Sequence, residues 1–119
     1  MIHGSLGLAN ADHLIRNVRK TTNFFERMRG LLGTQKLKPG EGLLIAPCAS
    51  IHTFGMRYSI DVLFLDNQLT IVKIVNSLKP WRMAASNSAS MVLEMAADSI
   101  NKLQLKTGQQ LEWHDELAN

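Results

Sequence analysis

Between Cys48 and Asp66 the chain reads CASIHTFGMRYSIDVLFLD, a stretch that holds its only cysteine, one of its four histidines and two aspartates beside an apolar run. If Ser50 to Arg57 is extended, Cys48, Ser50, His52, Phe54 and Met56 share one face of a strand, while Thr53 and Arg57 occupy the other. A Cys–His nucleophilic pair or a soft-metal site would need those groups in contact. At about 3.3 Å per residue, Cys48 and His52 stand roughly 13 Å apart, too far to share a metal or a hydrogen bond. Cys48 is therefore read as a small buried hydrophobe, and neither metal nor cofactor is expected.

The remaining polar groups suit binding better than catalysis. Histidine is suited to acid–base work, but His52 is equally ready to hydrogen-bond neighbouring backbone. Arg57 can hold a carboxylate or phosphate in two-point fashion or pair with Asp61 or Asp66. Asp61 interrupts an apolar run and needs partners there, so it is a structural tie or a site residue. Arg27 and Glu94 raise the same question as an internal ion pair. Trp81, between Pro80 and Arg82, lids a cleft or fills an open end of the sheet. His52, Phe54, Met56, Arg57, Asp61 and Trp81 form the candidate ligand-binding set, and no residue is assigned as catalytic. There is no GxSxG elbow, P-loop, HExxH, paired CxxC or glycine-rich dinucleotide turn, so the common enzyme classes lack their mechanical parts.

The elements that must position these groups follow from periodicity. His13 to Val18 alternates as a strand. Thr21, Thr22 or Asn23 caps a helix over about 22–32, on which Phe24, Phe25, Met28, Leu31 and Leu32 fall in one arc; that stripe reads as core, and Gly33 suits the C-terminal end. Leu43 to Ala46 and Ile60 to Leu65 have no polar face, as in strands buried on both sides. Asp66-Asn67-Gln68 forms a hairpin turn in which Asn67 tolerates positive φ, and Leu69 to Val75 returns. Lys79 to Arg82 crosses irregularly, and Ser90 to Met95 is a strand. A short helix over about 98–105 is capped by Asp98 with Ile100 and Leu103 inward, and Gln110 to Trp113 is the last strand. The fold class is α+β, mainly β: a curved antiparallel sheet or partly open barrel with one packed helix.

At 119 residues, 45% hydrophobic and 19% charged, the chain is one globular domain spanning residues 1–119. A single cysteine excludes an internal disulfide, and no N-terminal signal pattern or membrane-spanning run is visible, so the cytoplasm is expected. Net charge is +3, but the basic residues cluster: Arg16, Arg19, Lys20, Arg27, Arg29, Lys36 and Lys38 face only Glu26 between His13 and Lys38. Such a segment can meet nucleic acid or an acidic partner. Few aromatics accompany it, and nucleic acid is not the favoured partner.

Taken in order, Arg27-Met28-Arg29-Gly30-Leu31-Leu32, Gly42-Leu43-Leu44, Thr53-Phe54-Gly55-Met56-Arg57, Ile60 to Asp66, and Val92-Leu93-Glu94-Met95 resemble the DUF192 family, an uncharacterised bacterial and archaeal domain. The resemblance runs from about His13 to Trp113 and implies a compact, mainly β fold with a helix packed on it. It implies no established activity. The chain departs from the family pattern at Gly55, where a bulky residue is common, at Gln68, where a glycine is common, and at Gln109, where an aspartate is common. The expected function is a small binding module holding a peptide or small anionic ligand in a cleft of the sheet, as a monomer or weak dimer. The alternatives are a hydrolase-like enzyme using Asp61 and His52, and partner binding through the basic 13–38 segment.

Overall fold

Three segments that are apolar but for Asp61 and Glu94, namely Leu43-Leu44-Ile45, Ile60–Leu65 and Val92–Met95, sit at the centre of a sheet covered on both sides. The structure is a computed structural model that describes residues 1–8, 13–29 and 36–116. Its elements are β1 (Ile2–Leu8), β2 (His13–Lys20), α1 (Phe24–Arg29), β3 (Glu41–Ile45), β4 (Ser50–His52), β5 (Ile60–Leu65), β6 (Ile71–Leu78), β7 (Met83–Ala85), β8 (Met91–Ala96), α2 (Ser99–Leu103) and β9 (Leu111–Asp115). Seven strands form one curled sheet in the order β6-β5-β8-β3-β2-β1-β9, and β4 pairs with β7 in a separate two-stranded ribbon. The two edge strands of the large sheet approach each other at the Thr70–Gln110 bridge, which makes the sheet a half-barrel. The α+β, mainly β class is the one expected.

Alternation along the central strands divides the apolar residues into two cores. Leu44, Leu63, Leu65, Leu93 and Met95 point inward with Leu6, Ile15, Val18 and Leu111. Leu43, Ile45, Val62, Phe64 and Val92 point the other way and pack with Ile51 and Met56. The ribbon thus covers the outer face of the sheet, which is why the central strands are apolar on both faces except at Asp61 and Glu94.

Several local expectations are corrected. β1 was not expected, and the pair β2–β3 is parallel; the segment between them, which includes α1, is long enough for the crossover a parallel pair requires. β4 ends at His52 because the chain turns at Phe54-Gly55, with the Met56 N–H donating to the Thr53 carbonyl (3.2 Å) and Gly55 at φ +84°. Like parity therefore stops describing one face after His52, and Met56 is buried with 7% exposure. In the β5–β6 turn the positive φ falls on Leu69, not Asn67, because the Asp66 side chain accepts the Gln68 and Thr70 N–H groups (both 2.9 Å) and fixes the turn itself.

α1 starts as the capping pattern predicts. Asn23 Oδ1 accepts the Glu26 N–H (3.0 Å) and Glu26 Oε1 accepts the Thr22 N–H (2.7 Å); the Thr22 N–H is the leading reason the Glu26 carboxyl is lowered to about 2. Its apolar stripe, however, is not core: Phe24, Phe25 and Met28 are exposed. Strand side chains, with Leu37, Met56, Ile100 and Leu105, already fill both cores, so the helix rests outside them with Arg27 over the Phe24 ring at 5.8 Å. The expected continuation through Leu31 and Leu32 to Gly33 lies outside the described residues. At α2, Asp98 makes no side-chain cap, and Asp61 supplies one from β5 instead.

Candidate functional site

Thr53 is fully buried and ties two loops together. Its N–H donates to the Arg82 carbonyl (2.9 Å) and its carbonyl accepts the Trp81 N–H (3.1 Å). Its hydroxyl donates to the Lys79 carbonyl (2.6 Å) and accepts the Arg82 N–H (2.9 Å). A short polar side chain in closed space satisfies these groups, and the 79–82 crossing is locked against the end of β4.

That lock assembles a ladder of rings. The Phe54 N–H donates to His52 Nδ1 (3.2 Å), and the His52 and Phe54 centroids lie 4.9 Å apart. Phe54 stacks on Trp81 with centroids 5.8 Å apart and planes 22° apart. Trp81 holds φ +63°, in the left-handed region that bulky residues rarely enter, and the bond to Thr53 keeps it there. The ladder faces water: Phe54 is 41% exposed, Trp81 64% and neighbouring Met83 70%. Met83 pairs with His52 across the ribbon, and it is the contributor that sequence reasoning missed; its nearness to Trp81 in sequence was the available signal.

Of the expected set, the structure brings His52, Phe54 and Trp81 together. Arg57 is exposed, and among the described residues it forms no ion pair with Asp61 or Asp66. Met56 belongs to the outer core. Asp61 is completely buried, and its two oxygens accept the Ser77 N–H and the Ile100 N–H (2.8 Å each). This is the structural tie, joining β5 to the end of β6 and to the first turn of α2.

A second polar group lies on the outer face of the sheet. Glu94 stands in β8 between Leu43 of β3 and Val62 of β5, buried at 4% exposure. Its Oε2 and the hydroxyl of Tyr58 are buried without a hydrogen-bond partner among the described residues. Burial raises the Glu94 carboxyl to about 7. The Tyr58 hydroxyl and the Cys48 thiol are raised as well, chiefly by burial and then by the charge of Glu94. Cys48 is half-buried against the outer core and donates to the Ser50 carbonyl at 3.0 Å. Of the two readings left open for Arg27 and Glu94, the internal ion pair is not formed among the described residues, and the Arg27 guanidinium lies over Phe24 at 5.8 Å.

Comparison with known proteins agrees with this architecture. A UPF0127 protein of Thermococcus sibiricus is 33% identical over 83% of this chain and 67% of its own length. A UPF0127 protein of Pyrococcus furiosus is 34% identical over 92% of this chain and 97% of its own length. Among solved structures, a Sinorhizobium meliloti protein superposes with a TM-score of 0.80 at 21% identity, covering 94% of this chain and 92% of that one. A protein of unknown function from Novosphingobium aromaticivorans gives 0.73 at 20% identity, covering 95% and 84%. The model of the DUF192 family, described as Uncharacterized ACR, COG1430, matches residues 8–113, and the chain belongs to that family.

Proposed function

We propose that the protein is a small binding module whose His52–Phe54–Trp81 ladder holds a short acidic peptide. One observation carries the reading: three rings lie in a row, His52 tilted against Phe54 and Phe54 stacked on Trp81, and face solvent. Stacked rings fastened by a buried threonine offer a rigid apolar platform at low entropic cost to a partner. Charge supports the choice of ligand. Residues 46–60 and 79–90, which carry the ladder, contain Arg57, Lys79 and Arg82 and no carboxylate, so an anionic partner is favoured over a cationic one.

The hydrolase alternative draws no support from Asp61, whose oxygens are both occupied by backbone N–H groups in closed space, leaving His52 without a base to orient. Among the described residues no helix is long and apolar enough to cross a membrane. A single cysteine supports a cytoplasmic setting.

Titration calorimetry with short peptides that combine aromatic residues and glutamates tests the reading. Saturable binding is expected, weakened about tenfold or more by Trp81→Ala or Phe54→Ala. Both variants keep the wild-type melting temperature within a few degrees because the rings are exposed. Absence of saturable binding, or equal affinity in Trp81→Ala, would overturn the reading.

A further inference from the structure

A cavity of about 410 Å³ lies over β1, β2 and the end of β9, lined in part by His3, Ser5, Arg16, Asn17, Arg19 and Glu116. It is separate from the aromatic ladder. We propose that it is a binding site for a small organic anion whose carboxylate or phosphate is held by Arg16 and Arg19.

The backbone explains why two arginines reach one cavity. In the β1–β2 pair, Gly4 opposes Val18 and Leu6 opposes Ile15, so Arg16 and Asn17 together face the single residue Ser5. Such a bulge turns side chains away from strict alternation. Ile15 and Val18 both reach the inner core, and Arg16 and Asn17 are both thrown to the exposed side. Arg19 pairs with His3. At about 3.3 Å per residue, the Arg16 and Arg19 backbones stand roughly 10 Å apart, within the joint reach of two arginine side chains. Among the described residues neither guanidinium has a carboxylate within ion-pair distance, although Arg19 is half-buried. A half-buried guanidinium gains most from an oxyanion that takes its N–H groups two at a time.

The borders limit the ligand. Glu41 lies on the β3 side, fixed by accepting the Lys38 N–H at 2.7 Å, and Asp115 and Glu116 lie on the β9 side, Asp115 accepting the Trp113 indole N–H at 2.7 Å and Glu116 standing 3.9 Å from His3 Nδ1. Three carboxylates on the border, one on the β3 side and two on the β9 side, repel a continuous polyanion and leave only the arginine side of the cavity to a single anionic group. The volume falls in the range of small-molecule sites, about 300–1,000 Å³. A compact metabolite-sized anion fits these limits, and a nucleic-acid backbone does not.

The test follows the amide resonances of Gly4, Ser5 and Asn17 while the protein is titrated with inorganic phosphate, with succinate and with glycerol as a neutral control. Saturable shifts are expected with phosphate or succinate, and the one that saturates first identifies the head group. Arg16→Gln and Arg19→Gln should each weaken binding about tenfold, with Arg16→Lys intermediate because lysine keeps the charge and loses the two-point geometry. Unchanged dispersion elsewhere in the spectrum checks that each variant is folded. Linear shifts with both anions, shifts of equal size with glycerol, or affinities within twofold of wild type in both glutamine variants would overturn the proposal.

Discussion

Thr53 carries neither charge nor ring, yet the geometry of the ladder depends on it. Thr53→Val keeps the side-chain shape and deletes the hydroxyl, leaving the part-buried Lys79 carbonyl and Arg82 N–H short of a partner. A loss of about 1–3 kcal/mol is expected for such orphaned groups, read as a lower urea midpoint at unchanged slope. Trp81 should also lose the ring-current shift that Phe54 gives its indole protons, which a purely global destabilisation would not produce. Asp61 is the parallel case in the inner core. In Asp61→Asn one oxygen becomes an amide donor facing the Ser77 or Ile100 N–H, and about 1–3 kcal/mol of stability should be lost. Amide exchange should then quicken first at α2, the element that Asp61 holds by its first turn. An aspartate inside an apolar run was legible as a group needing partners; which partners it had was not, because they come from β6 and α2, far away in sequence.

At the scale of elements, what could be read depended on whether a segment's own pattern decided its placement. β5, β6 and β8 were legible because strands covered on both faces, or joined by a short turn, announce themselves by composition. β1 was not, because Gly4, Ser5 and Gly7 supply no alternation, and the bulk over that strand comes from Trp113 on its neighbour. A Cβ at Gly4 would overlap the Trp113 ring and the His114 carbonyl. Gly4→Ala should accordingly cost about 1–3 kcal/mol and lower the melting temperature, with β1 and β9 losing exchange protection together; an unchanged melting curve would show that both the ring and the β9 backbone can move aside. α1 shows a different limit. Its periodicity assigned Phe24, Phe25 and Met28 to the core, yet all three are exposed, because periodicity cannot reveal that other side chains already fill both cores. The ladder was half legible: His52, Phe54 and Trp81 were each singled out, while their stacking depended on a turn at Gly55 and on the backbone bonds of Thr53.

For the molecule as a whole, Glu94 makes stability depend on pH in the direction opposite to that of a salt-bridged carboxylate. Burial raises its folded pKa to about 7 from an ordinary value of 4.5, so between those values the folded chain binds one proton more than the unfolded chain. Stability from this group is therefore complete below the unfolded value and is lost as pH rises through about 7, by about 3 kcal/mol in all at 1.36 kcal/mol per unit. Among the described residues no cation forms an ion pair with Glu94. Cys48 and Tyr58 are raised by burial and by Glu94 itself and remain neutral across this range, and Arg27 is turned onto Phe24. Glu94→Gln removes the titration while keeping the shape. Urea unfolding at about pH 5 and about pH 8.5 should show the wild type losing several times more stability than Glu94→Gln between the two, with the variant the more stable at the higher pH. Parallel losses in both proteins would mean that Glu94 finds a counter-charge or a water when it ionises, and that the outer core tolerates the charge without opening.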